Sequence, residues 1–308
     1  MEYKQLKDFM WEENILSDGI KYTDHTWISL ANKFRIGLEL TNSQRSDKIR
    51  RLAKKFKNYD PNEITIEKEG LYVILGCMHV PFHNKKFFDS ILEYIYDVKP
   101  QGLILLGDFV DLHSLSSYDR HKVNIPITTF KEYAEANKAL DILDSVFNGD
   151  KYYLFGNHEA RAIKFHNDVA NHRLGKETSC PIHQMKLIER NYKVLDNYNE
   201  ARIIIGDVLN CHGWYHNKHS ADKHITQMNR SVFMPHTHRF NVSSDNKYIG
   251  YNVGFGGNIK SSVFNYGTKP MKGIWKNSFA TQFLYKGKNS VNPILWKGSH
   301  FSVNDKIY

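Results

Sequence analysis

The chain has 308 residues, 41% of them hydrophobic and 24% charged, which is typical of a globular protein with a substantial core. No apolar run approaches the roughly 20 residues of a membrane span, and the first residues contain acids but no apolar signal segment. Three cysteines are too few for a disulfide framework, so we expect a soluble protein of a reducing, cytoplasmic compartment. The formal charge of +9 is compatible with a polyanionic partner and equally with a basic protein that has none.

Residues 1–60 are predicted to form a small helical unit ahead of a larger domain, residues 61–308. Two helices with apolar faces are expected after Thr26, and the second begins near Thr41 or Ser43. Residues 41–60 contain seven Lys or Arg against two acids, so the unit resembles a helix-turn-helix that presents basic side chains to DNA. A helical hairpin with a solvated basic face is the alternative. The candidate nucleic-acid contacts are Arg45, Lys48, Arg51 and Lys55.

Three stretches share one pattern, in which an apolar run is followed by glycine and then by polar residues. They are LYVILGCMH (71–79), GLILLGDFVD (102–111) and YYLFGNHE (152–159). Continuous apolar runs of this length are typical of strands buried on both faces of a sheet. Helical periodicity between the runs predicts parallel strand–helix–strand connections. The polar clusters are therefore expected together, at the edge of the sheet where the strands end.

The pattern changes in the last third of the chain. Short strand-like runs with tight turns, including the segment 279–296, predict a second, largely antiparallel sheet packed on the first. Two of these runs end in CHG (211–213) and PHTH (235–238). The irregular, glycine-rich segment 254–275 is predicted to be an active-site loop rather than a linker.

Taken in order, GCMH, GDFVD, GNHE, CHG and PHTH resemble the calcineurin-like metallophosphoesterase superfamily. Its pattern is D-x-H, G-D-x-x-D, G-N-H-[DE], an isolated H and G-H-x-H, and the resemblance covers about residues 70–240. It implies an α/β fold, a four-layer α/β/β/α sandwich of two mixed sheets flanked by helices. Two positions depart from the pattern, because Cys77 replaces the first aspartate and Pro235 replaces the glycine before the last histidine pair.

The resemblance also implies a role for each matched residue. Asp108 bridges two metal ions, His158 contacts the phosphate and helps to protonate the leaving oxygen, and Asp111 orients His158. Arg161 follows this motif and is a candidate for contact with a phosphate oxygen, with an exposed helix arginine as the alternative. The candidate metal ligands are Cys77, His79, Asp108, Asn157, His212, His236 and His238, of which His79 and His238 serve the first ion and Asn157, His212 and His236 the second.

Such a donor set suits dimetal phosphoester hydrolysis on chemical grounds. Two divalent ions about 3.5–4 Å apart can clamp a phosphate and lower the pKa of a bridging water. Manganese, iron and zinc are the candidate ions. At Cys77 two interpretations remain open: a thiolate ligand that favours zinc or iron, or a small buried residue that leaves the first ion with weaker coordination.

Three functions follow, and the first is favoured. It is a phosphodiesterase acting on nucleic acid, most simply a nuclease on DNA, similar to predicted phage phosphoesterases with a helix-turn-helix-like segment; such a protein would work in the host cytoplasm. The second is a phosphomonoesterase or cyclic-nucleotide phosphodiesterase for small molecules. The third is a non-catalytic DNA-binding protein that keeps the fold. The sequence leaves the oligomeric state open.

Overall fold

The computed structural model describes residues 2–12, 24–55, 60–116, 127–167 and 179–308. The chain divides into two compact units, Met1–Glu63 and Ile64–Tyr308. Among the described residues, no helix combines the length and the apolarity needed to cross a membrane.

The first unit contains three described helices, α1 (Glu2–Glu12), α2 (Asp24–Lys33) and α3 (Asn42–Lys55). Helix α3 begins with a capping box: the Thr41 amide donates to Gln44 Oε1 at 2.9 Å, and the Gln44 amide donates to Thr41 Oγ1 at 3.4 Å. This start lies between the two predicted positions. The helices share one small apolar core, formed by Leu6, Met10, Trp27, Leu30, Ala31, Ile36 and Ile49.

The structure corrects one of the predicted nucleic-acid contacts. Arg45 is only 8% exposed, and its Nε donates to the carbonyl oxygen of Ile36 at 3.2 Å, so it closes the loop between α2 and α3 instead of facing solvent. That loop spans residues 34–41, longer than the three or four residues of a helix-turn-helix turn. Lys48 lies 3.8 Å from Glu39, and Arg51 is exposed. The side chain of Lys55 lies outside the described residues.

The second unit contains the two sheets. Its elements are β1 (Glu63–Ile66), β2 (Gly70–Leu75), α4 (Lys85–Val98), β3 (Gly102–Leu106), α5 (Thr129–Val146), β4 (Asp150–Leu154), α6 (Asn157–Asn167), α7 (Pro181–Gln184), β5 (Tyr192–Leu195), β6 (Arg202–Ile205), β7 (Val208–Asn210), α8 (Ser220–Met228), β8 (Ser231–Met234), β9 (Asn241–Ser244), β10 (Ile249–Asn252), α9 (Lys269–Ile274), β11 (Ser278–Tyr285), β12 (Lys288–Leu295), β13 (Ser302–Val303) and β14 (Lys306–Ile307).

The first sheet has the order β12-β11-β2-β3-β4-β5, with β2 to β5 parallel as predicted. The hairpin β11–β12 belongs to this sheet and not to the second one, because β11 pairs antiparallel with β2 and covers its free edge. The second sheet, β1-β6-β7-β8-β10-β9, is mixed rather than largely antiparallel, since β8 runs parallel to both β7 and β10.

Side chains that alternate along the first sheet divide the core into two layers. Val73, Leu75 and Leu105 pack with the buried faces of α4 and α5, whereas Ile74 and Ile104 pack between the two sheets. Helix α8 lies on the outer face of the second sheet, where a Cβ added to Gly250 would contact Ala221 and Ile225 at 3.0 Å. The four-layer α/β/β/α sandwich implied by the resemblance is therefore present.

Replacement of Arg45 tests its structural role. Arg45→Ala removes a buried hydrogen bond from a charged donor, so we expect the local free energy of opening in α3 to fall by about 1–3 kcal/mol. Hydrogen exchange of the α3 amides measures this change in the full-length protein. The exposed Arg51→Ala is the control and should change it by less than about 0.5 kcal/mol. Equal protection in the two variants would contradict the assignment.

Candidate metal centre

The turns that follow β2 and β3 have an unusual backbone. Cys77, His79 and Asp108 adopt positive φ angles of 49°, 54° and 52°. The two turns are hydrogen-bonded to each other, from the Cys77 amide to the Gly107 carbonyl at 3.0 Å and from the His79 amide to the Asp108 carbonyl at 2.9 Å. Left-handed conformations of residues other than glycine cost of order 1–3 kcal/mol and cluster at functional sites. The backbone at these three residues therefore has a conformation that an ordinary strand end would not adopt, and it sets the directions of their side chains.

The buried carboxylate of Glu159, in the first turn of α6, anchors this arrangement. Its Oε2 accepts hydrogen bonds from the amides of Asp108 at 2.8 Å and Gly156 at 2.9 Å. Its Oε1 accepts from the Phe109 amide at 2.9 Å and the Tyr153 hydroxyl at 2.7 Å. One side chain thus ties the turn after β3 to the turn after β4. Sequence reasoning gave Glu159 no role, although it is the last residue of the GNHE motif.

The two carboxylate oxygens of Asp108 have different roles: one fixes the start of α6, and the other faces the candidate metal ligands. Its Oδ1 accepts from the His158 amide at 2.8 Å, and its Oδ2 lies 3.2 Å from His212 Nε2. Burial alone would raise the pKa of Asp108, but the neighbouring His158 and His212 hold that pKa well below its usual range. A Cβ on Gly156 would lie 2.2 Å from Asp108 Oδ1, so only glycine allows α6 to begin this close to the carboxylate.

The first candidate ligand group consists of Cys77, His79 and His238, whose ligand atoms lie within 4.8 Å of one another. His79 Nδ1 donates to Asp111 Oδ2 at 2.9 Å, so its Nε2 carries the lone pair. That Nε2 faces His238 Nε2 at 3.0 Å. Burial and the neighbouring His79 hold the pKa of His238 well below its usual value, so this imidazole is neutral.

The second group surrounds His212. Its Nδ1 donates to the Leu106 carbonyl at 2.7 Å, and its Nε2 faces three polar atoms of neighbouring residues. These are Asn157 Oδ1 at 3.1 Å, His236 Nδ1 at 3.1 Å and Asp108 Oδ2 at 3.2 Å. Burial alone would lower the pKa of His212, but the charge of Asp108 raises that pKa above its usual value. Burial, followed by His212, lowers the pKa of His236 to about 3.

The donor chemistry of both groups fits divalent cations. In each, the Nε2 of one imidazole lies about 3 Å from a nitrogen of another, while the Nδ1 of the first is already committed as a donor. Lone pairs at this separation repel unless a proton or a cation lies between them. A carboxylate behind a ligating histidine, as Asp111 is behind His79, is the usual outer contact of a metal site. Asp108 belongs to candidate groups with both His79 and His212, as a bridging ligand would.

His158 lies beside Asp108 and is oriented by a different group from the one predicted. Its Nδ1 donates to the backbone carbonyl of Asp111 at 2.6 Å, whereas the Asp111 carboxylate is 3.6 Å away because it is engaged by His79. Arg161 donates to the same carbonyl at 3.1 Å and to His158 Nε2 at 3.1 Å. Burial, partly offset by Asp108, lowers the pKa of His158 to about 4. Arg161 is thus part of the site and not simply a solvated helix residue.

Aromatic rings from the segment 254–275 cover the first ligand group. The ring of His238 stacks on Phe255 with centroids 4.3 Å apart, and His79 contacts Phe264 edge-on at 5.4 Å. Trp275 lies 5.0 Å from His238. Cys77 belongs to the same apolar cluster, so one side of its thiol is dry. The predicted active-site loop therefore contacts the site, and its aromatic residues had not been identified from the sequence.

Comparison with known proteins gives the family. A family model described as calcineurin-like phosphoesterase matches residues 71–268, more than half of the chain. The chain belongs to the calcineurin-like phosphoesterases. The Gene 54 protein of Mycobacterium phage L5 is 24% identical over 258 residues, which cover 77% of this chain and 97% of that protein.

Two solved structures illustrate the wider similarity. Vps29 from Chaetomium thermophilum is 11% identical and aligns over 77% of this chain and 92% of its own, with a TM-score of 0.39. Wild-type Vps29 from Entamoeba histolytica, in complex with Zn²⁺, is 12% identical and aligns over 75% and 96%, with a TM-score of 0.40.

In this calcineurin-like phosphoesterase, the two departures from the family pattern, Cys77 and Pro235, are close in space because Pro235 packs on Gly76. A Cβ on Gly76 would be 2.4 Å from Pro235 Cγ, so the glycine before Cys77 accommodates the proline before His236. The residue before Cys77 and the residue before His236 are therefore in direct contact.

Replacement of Glu159 tests the anchor of the centre. In Glu159→Gln, an amide NH₂ replaces an acceptor that faces backbone N–H groups, so we expect the free energy of unfolding to fall by about 2–4 kcal/mol. Denaturant unfolding of the full chain measures it. Tyr153→Phe removes a single hydrogen bond to the same carboxylate and should cost about 1 kcal/mol. Similar small losses in both variants would show that Glu159 is not the anchor.

Proposed function

We propose that this calcineurin-like phosphoesterase is a dimetal phosphodiesterase acting on nucleic acid, most simply a nuclease on DNA. The observation that carries the proposal is the pair of histidine-lined groups joined by Asp108, with His158 and Arg161 beside them. Divalent ions held there would supply Lewis-acid stabilisation of phosphoryl oxygens and a water of lowered pKa. The family supports metal-dependent phosphoester hydrolysis; the nucleic-acid substrate is our proposal.

The protein's own residues position the phosphate and the leaving oxygen. Arg161 carries a positive charge beside His158, where a guanidinium can pair with phosphoryl oxygens in a bidentate manner. His158 is fixed by the Asp111 carbonyl, so its Nε2 faces the ligand groups. Arg161 and a leaving oxygen compete for that Nε2. Movement of Arg161 to the bound phosphate would free Nε2 to take up a proton from solvent, which His158 could then donate to the leaving oxygen.

Cys77 indicates which ions the first group prefers. Its sulfur belongs to one candidate group with His79 and His238 and to another with Asp108 and His212, so it lies at the junction of the two. Burial, followed by the charges of Asp108 and Glu159, raises the pKa of the Cys77 thiol well above its usual value. A bound cation displaces such a proton. We propose that Cys77 ligates as a thiolate and that a set of sulfur, imidazole and carboxylate donors selects zinc or iron over manganese.

The preference for nucleic acid is supported by charge. The chain carries a net +9, and the exposed Arg51 with Lys48 provides basic groups on α3. Phosphate contacts of this kind supply most of the non-specific affinity for nucleic acid. The alternative, a phosphoesterase for small molecules, would use the same centre without these basic groups.

The first test is His158→Ala, assayed on a small generic phosphodiester and on a single-stranded oligonucleotide. Loss of a positioned acid–base group should lower kcat on both substrates about 10²–10⁴-fold. Metal content should remain unchanged, because no proposed ligand is altered, and a chelator should abolish the wild-type activity. His219→Ala, at an exposed position, is the control. Undiminished turnover in His158→Ala would contradict the assignment, and wild-type activity on the small diester alone would point to a small-molecule substrate.

The second test addresses Cys77 by spectroscopy. Cobalt-substituted wild-type protein should show a sulfur-to-cobalt charge-transfer band that is absent from Cys77→Ser. Cys77→Asp should keep metal binding but shift competition from zinc towards manganese, because a carboxylate is the harder ligand. Cys180→Ser is the matched control, since Cys180 is also buried but caps α7 and belongs to none of the candidate groups. A band that survives Cys77→Ser would exclude thiolate ligation.

A further inference from the structure

A groove of about 710 Å³ lies beside the metal centre and is assigned to no function. One wall is a stripe of α6 and the other is the loop between β5 and β6. We call it the α6 groove; its lining residues are Ala160, Ile163, Lys164, Asn167, Asp196, Asn197, Tyr198 and Asn199.

Helix α6 connects the groove to the centre. Asn157, the proposed ligand, begins the helix, and Ala160, Lys164 and Asn167 follow it at intervals of three and four residues, along nearly the same face. Seven residues of helix separate Asn157 from Lys164, a rise of about 10 Å. One extended nucleotide can therefore reach from the reacting phosphate to the ammonium group of Lys164.

Tyr198 fixes the opposite wall to the same centre. Its ring lies edge-on to His212 with centroids 5.7 Å apart, and its hydroxyl donates to the Gly213 carbonyl at 3.1 Å. Its own carbonyl accepts from the indole of Trp214 at 3.3 Å. The loop is thus anchored on the segment that carries His212, and Tyr198 both lines the groove and contacts this proposed ligand.

The polar groups of the groove suit a nucleotide. Among the residues that the structure describes, none forms an ion pair or hydrogen bond with the side chains of Lys164, Asn167 or Asn199. An ammonium group binds phosphate, and asparagine amides offer a donor and an acceptor to the edge of a base. Asp196 repels phosphate from the loop wall and can accept from an exocyclic amino group. Lys164 and Asp196 lie on opposite walls, so the phosphate is expected on the helix side and the base on the loop side.

We propose that the α6 groove binds the nucleotide adjacent to the scissile phosphate of a single-stranded substrate. Lys164 holds its phosphate, and the asparagine amides contact its base. This inference rests on the proposed function, because it requires that the phosphodiester cleaved at the centre belong to a nucleic-acid strand.

The experiment compares two substrates of the full-length protein loaded with metal. Lys164→Ala and Asn199→Ala should each lower kcat/KM on a single-stranded oligonucleotide about tenfold, the loss expected for one polar contact to a charged or base group. Turnover of a small diester, bis(p-nitrophenyl) phosphate, should stay the same because it does not reach the groove. Lys164→Arg should restore most of the oligonucleotide activity, since the charge is kept.

Lys288→Ala is the matched control. Lys288 is also exposed. It pairs with Tyr285 at the end of β11, and this end of β11 lies beside the start of β2. The site lies at the opposite edge of the sheet, where β2 ends. Removal of Lys288 changes the net charge equally and should leave both substrates unaffected. Equal losses of kcat/KM on the oligonucleotide in Lys288→Ala and Lys164→Ala would show that the effect comes from overall charge. That result would overturn the proposal.

Affinity in the His158→Ala background separates this inference from the proposed function. When Lys164→Ala is added to His158→Ala, the affinity for a labelled oligonucleotide, measured by fluorescence anisotropy, should fall about tenfold. If the wild-type protein cleaves the oligonucleotide but neither affinity nor kcat/KM depends on Lys164 or Asn199, the groove is not the subsite and the nuclease assignment stands. If the protein neither binds nor cleaves the oligonucleotide, both proposals fail.

Discussion

The buried carboxylate of Glu159 is the constraint on which the site depends. It accepts three backbone hydrogen bonds shorter than 3 Å from two separate turns, together with one from Tyr153. Buried backbone N–H groups without a partner are costly, so a single acidic side chain satisfies the turns after β3 and β4 at once. Burial, followed by the nearby charge of Asp108, raises the pKa of Glu159. Its hydrogen bonds, together with its place in the first turn of a helix, offset that cost.

Asp108 carries this constraint into the centre. Because its Oδ1 accepts from the amide of His158, the first turn of α6 is fixed to the carboxylate that also faces His212. The approach is so close that glycine is required: at Gly107, with a φ of 79°, a Cβ would lie 2.4 Å from the Gly156 amide nitrogen. The glycines of the two motifs are therefore needed for contact between the turns, and not only for the conformation of each turn.

Much of this could be predicted from the sequence, for a physical reason. Buried parallel strands are continuous apolar runs, and the polar residues that end them must meet at one edge, which made the site foreseeable from residues 71–159. The sequence did not predict which sheet contains β11, because a strand with apolar residues can pair with either sheet. The free edge of β2 decides the pairing. Arg45 was assigned to a basic surface because helical periodicity does not show that the loop 34–41 folds back over it. The partner of His158 was missed for a similar reason, since backbone carbonyls leave no mark in a motif.

The surroundings of Cys77 give a physical account of why a thiol can replace the aspartate of the family pattern. On one side Cys77 packs with Phe255, Phe264 and Trp275, which offer no hydrogen bonds. Without a bound cation, a carboxylate in that position would place an ionised oxygen against aromatic rings, and an unpaired buried charge is expensive. A thiol is tolerated there as a small apolar group and becomes an anion only when a cation is bound. The aromatic cover contributed by the segment 254–275 and the sulfur at position 77 are therefore mutually consistent. Together they would make the first candidate ligand group softer than the second, whose candidate ligands are imidazole, amide and carboxylate.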